Sequence, residues 1–394
     1  MLDVDYRDTL RRLIEIDTSG PDARGCHRAL TMLQEKFSAA GLATMLAEIP
    51  LLHADGMEGR VALLRRRPIQ EPAATHHIWS CRRRPGLCWD AFTFKSSSGY
   101  IYDRGVADMK RAIAALTGVL NAVSVRPLMY ALSVVVTTGD ETHQLVGQLK
   151  CLTKALRRDK PVLVLSLDAG FGYVSTTNLG VLHLDVRASG ESVHSGLAHR
   201  GRNTVEGAAR LIDILLNARS AIIARTSRMP AHPDTMLAFL EPLLNINHIG
   251  GGLSRNIVPD SCIFSIDQRL ILEETSDTAC DEILRTLQAV EGVQWSISHE
   301  SSIPPIPHCN HSVVSDVAQI VREVVGTTGL CGEMMSDELS YAAIHWWNGI
   351  VFGAGLIRPE CRVHGVDEHV NERDLDQLVK VLTSFLTNDR EEAA

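Results

Sequence analysis

The sequence lacks the features that would indicate a membrane protein or a nucleic-acid-binding protein. Its 394 residues contain no apolar run of the roughly 18 residues that a membrane-spanning helix needs. Basic residues are fewer than acidic ones, with a formal net charge of -8, so we expect no broad surface for nucleic acid. The first residues, MLDVDYRDTL, do not resemble a secretory signal peptide. These absences predict a cytoplasmic protein that binds neither membrane nor nucleic acid.

Paired cysteines and internal repeats are also absent. The nine cysteines are an odd number and include no CxxC pair. Scattered single cysteines are typical of small buried hydrophobic residues in a reducing compartment. No repeat with a period of about 20 to 50 residues is visible, which argues against a solenoid.

Hydrophobic periodicity indicates an α/β fold. A chain of this length is too long for one ordinary core and favours two domains, or one domain with a large insertion. Short apolar strands separated by helical patterns indicate a sheet with helices on both faces. The elements predicted in this part are strands at 61–64, 78–81, 132–137, 162–167 and 350–352, and helices at 107–120, 313–325 and 375–386.

A different pattern begins near residue 178. Residues 181–187 alternate, and this places Val181, His183, Asp185 and Arg187 on one solvated face of a half-buried strand. The elements that follow are predicted as a helix at 204–216, a strand at 261–269, a helix at 279–290 and a strand at 293–298. We therefore predict a larger α/β domain, with a mixed sheet flanked by helices, over residues 1–177 plus 303–394. A smaller α+β domain over residues 178–302 is inserted into it.

Acidic side chains and a histidine follow several of the predicted buried strands. Asp108, Glu141, Asp168 and His364 all lie in such positions, and ligand sites of open α/β sheets form there. Carboxylate oxygen and imidazole nitrogen are both zinc ligands, and a further carboxylate could take a proton from a metal-bound water. Taken singly, each residue has a simpler explanation: an acidic residue at a strand-to-helix junction is more often a helix cap, and a lone histidine a surface residue.

Several segments together resemble one known family. They occur in the family's order over nearly the whole chain, and they are DRGVADMKRAIAAL, TTGDE, VRASGESVHSGLAHRGRNTVE, SRNIVPDSCIFSIDQR, MMSDELSYAA and RVHGVDEHV. The first is similar to a GRGxxDMKGG segment of the zinc-dependent amidohydrolase and exopeptidase family. That family includes acetylornithine deacetylase, succinyl-diaminopimelate desuccinylase, aminoacylase and carboxypeptidase G.

The resemblance implies a role for each matching residue. Asp108 matches a carboxylate that bridges two zinc ions, Asp168 a ligand of one zinc and His364 a ligand of the other. Glu141 matches the general base. His194 matches a lid-domain histidine that reaches the partner's active site in dimeric members and stabilises an oxyanion. Asn256 and Arg269 match substrate-binding positions, and the guanidinium of Arg269 suits a substrate carboxylate.

The sequence departs from the family pattern at the metal site. Ser80 stands at the position of a zinc-binding histidine, Arg82 at that of an orienting aspartate and Thr142 at that of a second glutamate. Each zinc ion thus loses one protein ligand, and a positive charge at Arg82 opposes metal binding. Residues that could replace a lost ligand are His76, His77, Cys81, Cys88 and His143, although strand alternation favours Cys81 and His143 pointing away. Met335 replaces a threonine of the family pattern.

The resemblance therefore predicts an enzyme that hydrolyses an amide bond in a small N-acyl amino acid or peptide-like substrate. We expect one or two zinc ions, or none, a substrate with a carboxylate, and a homodimer. Two alternatives stay open: the same fold with a lost or reduced zinc site that forms or cyclises an amide without metal, and a non-hydrolytic binding protein.

Overall fold

The fold is described from a computed structural model. It describes residues 6–18, 24–49, 59–65, 92–137, 162–170, 172–337, 341, 344–345, 349–355 and 357–387. The chain divides into two compact units. The first unit comprises Met1–Thr176, His308–Cys331 and Glu338–Ala394, and the second comprises Thr177–Pro307 and Gly332–Asp337. Residues 332–337 thus join the second unit although they lie far along the chain from the rest of it.

Helices and strands alternate through both units. The α-helices are α1 (Tyr6–Glu15), α2 (Arg24–Ala39), α3 (Arg111–Val123), α4 (Thr204–Ile223), α5 (Ser276–Gln288), α6 (Val313–Val325) and α7 (Glu372–Thr387). The strands are β1 (Ala43–Ile49), β2 (Gly59–Arg65), β3 (Lys95–Ser97), β4 (Tyr100–Tyr102), β5 (Ser133–Thr137), β6 (Val162–Ser166), β7 (Val174–Asn178), β8 (Gly180–Ser189), β9 (Val193–His194), β10 (Leu243–Gly251), β11 (Ile257–Val258), β12 (Ser261–Leu270), β13 (Gln294–Ile303), β14 (Leu330–Glu333), β15 (Gly349–Gly353) and β16 (His369–Asn371).

The first unit packs its helices around one apolar core. Helix α3 contacts α1 and α7, and α7 also contacts α6. Most residues of α3, from Arg111 to Val123, are buried by this packing. The core includes Leu33, Phe37 and Phe352. Burial of such side chains is the main favourable term in folding.

One sheet with strands of this unit is mixed, and the two smaller sheets are antiparallel. Strands β6 and β15 are parallel, whereas β15 meets β7 in antiparallel register, in the order β14-β7-β15-β6. Two smaller sheets have the orders β1-β2-β5 and β16-β4-β3. Strand β6 is almost wholly buried, as expected of a parallel strand with both faces covered. The predicted α/β class with a mixed sheet is confirmed.

The second unit is a four-stranded antiparallel sheet with helices α4 and α5. The strand order is β10-β12-β8-β13, and β12 and β8 pair over their whole length. Leu182, Leu184 and Val186 of β8 lie in a core with Phe264 of β12. This is the α+β architecture that the alternating pattern predicts.

Several elements differ in detail from the predictions. The helix predicted at 107–120 begins only at Arg111, because Asp108 and Met109 have non-helical backbone angles. Val181, predicted on the solvated face, is buried. Strand β10 has no counterpart among the predictions, and the strand predicted at 78–81 lies outside the described residues. No helix in the described part of the chain is long and apolar enough to cross a membrane.

Candidate active site

The first candidate site is built on the turn between β4 and α3. Gly105 has a φ of 77°, a left-handed conformation that glycine adopts without steric penalty. The chain then passes through Asp108 in an extended conformation, with φ -123° and ψ 92°. The carboxylate of Asp108 is nearly fully buried at the start of α3.

His364 meets this carboxylate from a distant part of the chain. Its Nε2 lies 3.2 Å from Oδ2 of Asp108. The loop that carries His364 is strained, since Arg362, His364 and Asp367 all have positive φ, between 53° and 59°. Non-glycine residues in this region persist only where the surroundings enforce them, and such residues cluster at functional sites. The half-exposed imidazole can therefore be reached from solvent while its orientation is held by the loop.

Glu368 supports the same turn from behind. Its carboxylate accepts backbone hydrogen bonds from Gly105 at 3.0 Å, Ala107 at 2.9 Å and Asp108 at 3.3 Å. Nη1 of Arg104 lies 3.4 Å from Oε2 of Glu368. Burial raises the pKa of Glu368, an effect that the three N–H donors oppose. Glu368 thus fixes the backbone that presents Asp108.

A second buried carboxylate, Asp103, lies at the start of the turn. Its Oδ2 is 3.5 Å from Nζ of Lys110, and neither oxygen accepts a hydrogen bond from the described residues. Burial raises the pKa of Asp103 to about 7, although the charge of Lys110 acts to lower it. The carboxyl group therefore changes its charge near neutral pH.

Arg111 places a positive charge beside these acids. Its guanidinium is buried, and Nε donates to the carbonyl oxygen of Ala107 at 3.0 Å. Within the described residues, neither Nη1 nor Nη2 has a hydrogen-bond partner. Burial lowers the pKa of Arg111, and the negative charges of Asp168, Asp374 and Asp108 act to raise it. Arg111 thus places a positive charge near Asp108 and Asp168.

Asp168 follows β6, as the sequence predicts. Its carboxylate is buried, and its backbone N–H donates to Oγ of Ser166 at 3.3 Å. Its charge acts on Arg111. Asp108, His364 and Asp168 therefore all belong to the first unit, and of these the structure pairs Asp108 with His364 directly.

The donor set can be compared with what zinc requires. Asp108 and His364 are donors of the right chemical type, and catalytic zinc sites use three protein ligands. Among the described residues, no group of three His, Cys, Asp or Glu side chains is arranged to hold a metal ion. The described donors thus fit zinc in type but not in number.

Some predicted site residues cannot be placed. The predicted base Glu141 lies outside the described residues, as do Ser80, Arg82 and Thr142. The same holds for the candidate replacement ligands His76, His77, Cys81, Cys88 and His143. Their roles remain predictions.

His194 and Asn256 are neighbours in the second unit. Strands β9 and β11 pair His194 with Ile257, and the Ser195 N–H donates to the carbonyl oxygen of Asn256 at 2.9 Å. The exposed His194 ring accepts a hydrogen bond at Nδ1 from the N–H of Gly196, at 3.1 Å. Nδ1 is therefore engaged within its own turn, and the role of His194 stays a prediction.

Arg269 lies near the end of β12 in the same unit. Its Nε and Nη2 donate to the two oxygens of Asp267, at 2.8 and 2.9 Å. Nη1 lies 3.3 Å from Oγ of Ser336, beside Met335. The guanidinium is thus held by its own strand and remains partly exposed.

Glu368, Arg111 and Asp267 were not singled out from the sequence. Glu368 lies four residues after His364 within RVHGVDEHV, and Arg111 replaces a glycine of the GRGxxDMKGG pattern. Asp267 belongs to the DxR part of its own segment. Each of the three lies within a segment that resembles the family. Their burial and their hydrogen-bond partners, which set them apart from neighbouring residues, exist only in the folded chain.

Comparison with known proteins gives matches over part of the sequence. A family model described as a peptidase dimerisation domain matches residues 176–292. An acetylornithine deacetylase from Edwardsiella ictaluri (strain 93-146) is 25% identical over 244 residues, which cover 60% of each chain. One from Salmonella typhimurium is 26% identical over 245 residues, again 60% of each chain. The chain thus spans about 60% of the length of these curated relatives.

Solved structures match over nearly the full length. Human carnosine dipeptidase 1 covers 98% of this chain and 97% of its own, with a TM-score of 0.77 and 12% identity. An M20 family metallo-carboxypeptidase from Sulfolobus solfataricus covers 97% and 98%, with a TM-score of 0.71 and 14% identity. These likenesses establish the shared fold. The matched dimerisation domain and the acetylornithine deacetylase relatives are further similarities, each over part of the chain.

Proposed function

We propose that this protein hydrolyses an amide bond in a small N-acyl amino acid or peptide-like substrate. The observation that carries the proposal is the pairing of the buried Asp108 carboxylate with the half-exposed His364 imidazole, 3.2 Å apart. Relatives named for deacetylation of acetylornithine and neighbours named as dipeptidases act on bonds of this kind. The larger unit is then the catalytic domain and the second unit the lid and dimerisation domain.

In this proposal Asp108 and His364 would hold a divalent ion, and Asp168 is the further ligand that the family resemblance implies. Such an ion, zinc in the family resemblance, polarises a carbonyl group and lowers the pKa of water. The positive charge of Arg111 weakens binding of a second cation nearby, since like charges repel strongly in a buried site. We therefore propose one zinc ion in preference to two.

The chain's own side chains would carry the remaining steps. Glu141 takes a proton from the attacking water and delivers it to the leaving amine. His194, supplied by a partner subunit, donates a hydrogen bond to the oxyanion. Asn256 and Arg269 orient the substrate, and Arg269 binds its carboxylate.

The second candidate is the same fold without metal, forming or cyclising an amide. The buried charge of Arg111 favours it, as does the shortage of metal donors among the described residues. In this candidate Glu141 still moves a proton, but no ion activates water. A third candidate, ligand binding without turnover, needs neither a metal ion nor proton transfer by Glu141.

Metal analysis and an amidase assay separate the three candidates. The protein is purified without chelator, its zinc is measured by mass spectrometry, and hydrolysis is followed on N-acetyl amino acids and dipeptides. We expect bound zinc, turnover that chelation abolishes and zinc restores, and a fall in kcat of about 10²- to 10⁴-fold for Glu141→Gln. The exposed Glu35→Gln on α2 is the matched control and should retain full activity.

Other results favour other candidates. Amide formation or turnover that is insensitive to chelator but lost in Glu141→Gln supports the metal-free enzyme. Binding without turnover, unchanged in Glu141→Gln, supports the binding protein. Absence of zinc together with absence of hydrolysis overturns the main proposal.

We also propose a homodimer in a reducing cytoplasm. The matched dimerisation domain supports the dimer, and the free thiols of Cys262, Cys280, Cys309 and Cys361 are consistent with a reducing compartment. Light scattering coupled to size exclusion should give twice the monomer mass. A monomer would remove the partner His194 from the proposed reaction.

A further inference from the structure

Residues of two paired strands form a polar cluster around Asp267 in the second unit. The register of β8 and β12 places His183 directly opposite Asp267. Arg269 is two residues farther along β12, so its side chain lies on the same face as Asp267. Backbone pairing alone therefore brings an imidazole, a carboxylate and a guanidinium together.

Asp267 is bound from two sides. Its Oδ2 lies 2.9 Å from Nε2 of His183, and Arg269 donates from Nε to Oδ1 at 2.8 Å and from Nη2 to Oδ2 at 2.9 Å. Burial acts to raise the pKa of Asp267, but the bonds from His183 and Arg269 outweigh it and lower the pKa to about 2. An ionised carboxylate only accepts hydrogen bonds, so Nε2 of His183 carries the proton.

The geometry leaves one edge of the guanidinium available. Arginine has five N–H donors in a rigid planar fork, and Asp267 occupies the side edge formed by Nε and Nη2. The end edge, formed by Nη1 and the outer N–H of Nη2, points elsewhere. Oγ of Ser336 lies 3.3 Å from Nη1, and the Arg269 side chain is 26% exposed. Two parallel donors and a hydroxyl are what a carboxylate ligand needs.

We propose that Asp267 and His183 are positioning residues that hold the end edge of Arg269, together with the hydroxyl of Ser336, as a receptor for one substrate carboxylate. This inference rests on the proposed function, which supplies a substrate with a carboxylate. Asp267 restricts rotation of the long Arg269 side chain before a ligand binds. Less conformational entropy is therefore lost on binding. Asp267 and Arg269 together are electrically neutral, so orientation of the two donors governs recognition more than net charge.

The test compares a carboxylate with its amide. KM and kcat are measured for a hydrolysed N-acetyl amino acid and for its C-terminal carboxamide. Asp267→Asn and Ser336→Ala should raise KM for the carboxylate about 10-fold or more, leave kcat within about 3-fold, and change KM for the carboxamide little. Asp185→Asn is the matched control, because Asp185 is an acid on β8, the strand paired with β12, and it accepts from Oγ of Ser265 at 2.6 Å across this strand pair. It should change neither constant.

His183 variants test the cluster if Asp267→Asn does not fold. His183→Leu removes the donor to Asp267 and should raise KM for the carboxylate, whereas His183→Gln keeps an N–H donor and should restore it. Equal effects of His183→Leu on carboxylate and carboxamide would overturn the positioning role. So would an unchanged KM in both Asp267→Asn and His183→Leu.

Calorimetry separates this inference from the proposed function. N-acetyl-L-leucine and N-acetyl-L-leucinamide are titrated into wild-type protein and into His183→Leu. Tighter binding of the acid in wild type, lost in the variant, supports the receptor even if no hydrolysis is found. Equal binding of acid and amide by wild-type protein would overturn the receptor even if the protein is an amidase.

Discussion

Two buried carboxylates, one in each unit, differ in their electrostatic surroundings. Asp103 of the first unit faces one lysine at 3.5 Å, and burial raises its pKa to about 7. Asp267 of the second unit is also buried, but bonds from His183 and Arg269 lower its pKa to about 2. Burial alone therefore does not set the charge of an acid. The number and geometry of its donors decide it.

The same contrast extends to the arginines. Nε and Nη2 of Arg269 donate to Asp267, and the edge formed by Nη1 and the outer N–H of Nη2 stays accessible. Arg111 is buried more deeply, and among the described residues its guanidinium donates only from Nε, to the carbonyl oxygen of Ala107. The second unit thus presents a partly exposed positive charge, whereas the first unit encloses one among acids.

Removal of the Arg111 charge should strongly destabilise the first unit. Arg111→Met removes the positive charge that acts on Asp108 and Asp168, and we expect a loss of up to about 3–5 kcal/mol, the cost of removing one partner of a buried ion pair. Urea denaturation measures the loss. The exposed Arg12→Met on α1 is the control and should stay within about 0.5 kcal/mol of wild type. The zinc content of the protein should rise in Arg111→Met. An unchanged free energy of unfolding would show that Arg111 does not compensate the negative charge of Asp108 and Asp168.

The two acids should give opposite pH dependence of stability. The folded pKa of Asp103, about 7, lies above its unfolded value of about 3.9, so its contribution is full below pH 4 and is lost as the pH rises through 7. Asp103→Asn should remove this loss, on the order of 1–4 kcal/mol between pH 4 and pH 8.

For Asp267 the sign is reversed. Its folded pKa of about 2 lies below the unfolded value, so its contribution is present above about pH 4 and is lost as the pH falls towards 2. Asp267→Asn should therefore reduce the pH dependence of the free energy of unfolding only below about pH 4. Chemical denaturation across this pH range measures both variants, and parallel profiles for the two would contradict the contrast.

A smaller difference is expected at two helix N-termini. In the second unit the side chain of Asn203 accepts from the N–H groups of Val205 and Glu206 at the start of α4. In the first unit Ser312 precedes α6 without such a bond. Asn203→Ala should cost about 1 kcal/mol, and Ser312→Ala less than about 0.5 kcal/mol. Thermal unfolding compares them, and equal losses would mean that Ser312 also caps its helix.

Periodicity was enough to locate most elements. Helix α6 has the predicted bounds, Val313–Val325, because its apolar face repeats at helical spacing and Gly326 ends it in a left-handed conformation. The alternating pattern of β8 and β12 likewise identifies the sheet of the second unit. The helix expected from residue 107 begins later, because the turn at Asp108 is held by Glu368 from a distant segment.

The sequence alone therefore determines the two architectures and the segments that carry Asp108, His364 and Arg269, since local periodicity and matching motifs depend on neighbouring residues. Tertiary structure decides which side chains meet. The pairing of Asp108 with His364, the burial of Arg111 and the bonds from His183 and Arg269 to Asp267 depend on contacts between separate segments. The charge of a buried group follows from such contacts because desolvation and hydrogen bonds, which shift its pKa, exist only in the folded chain.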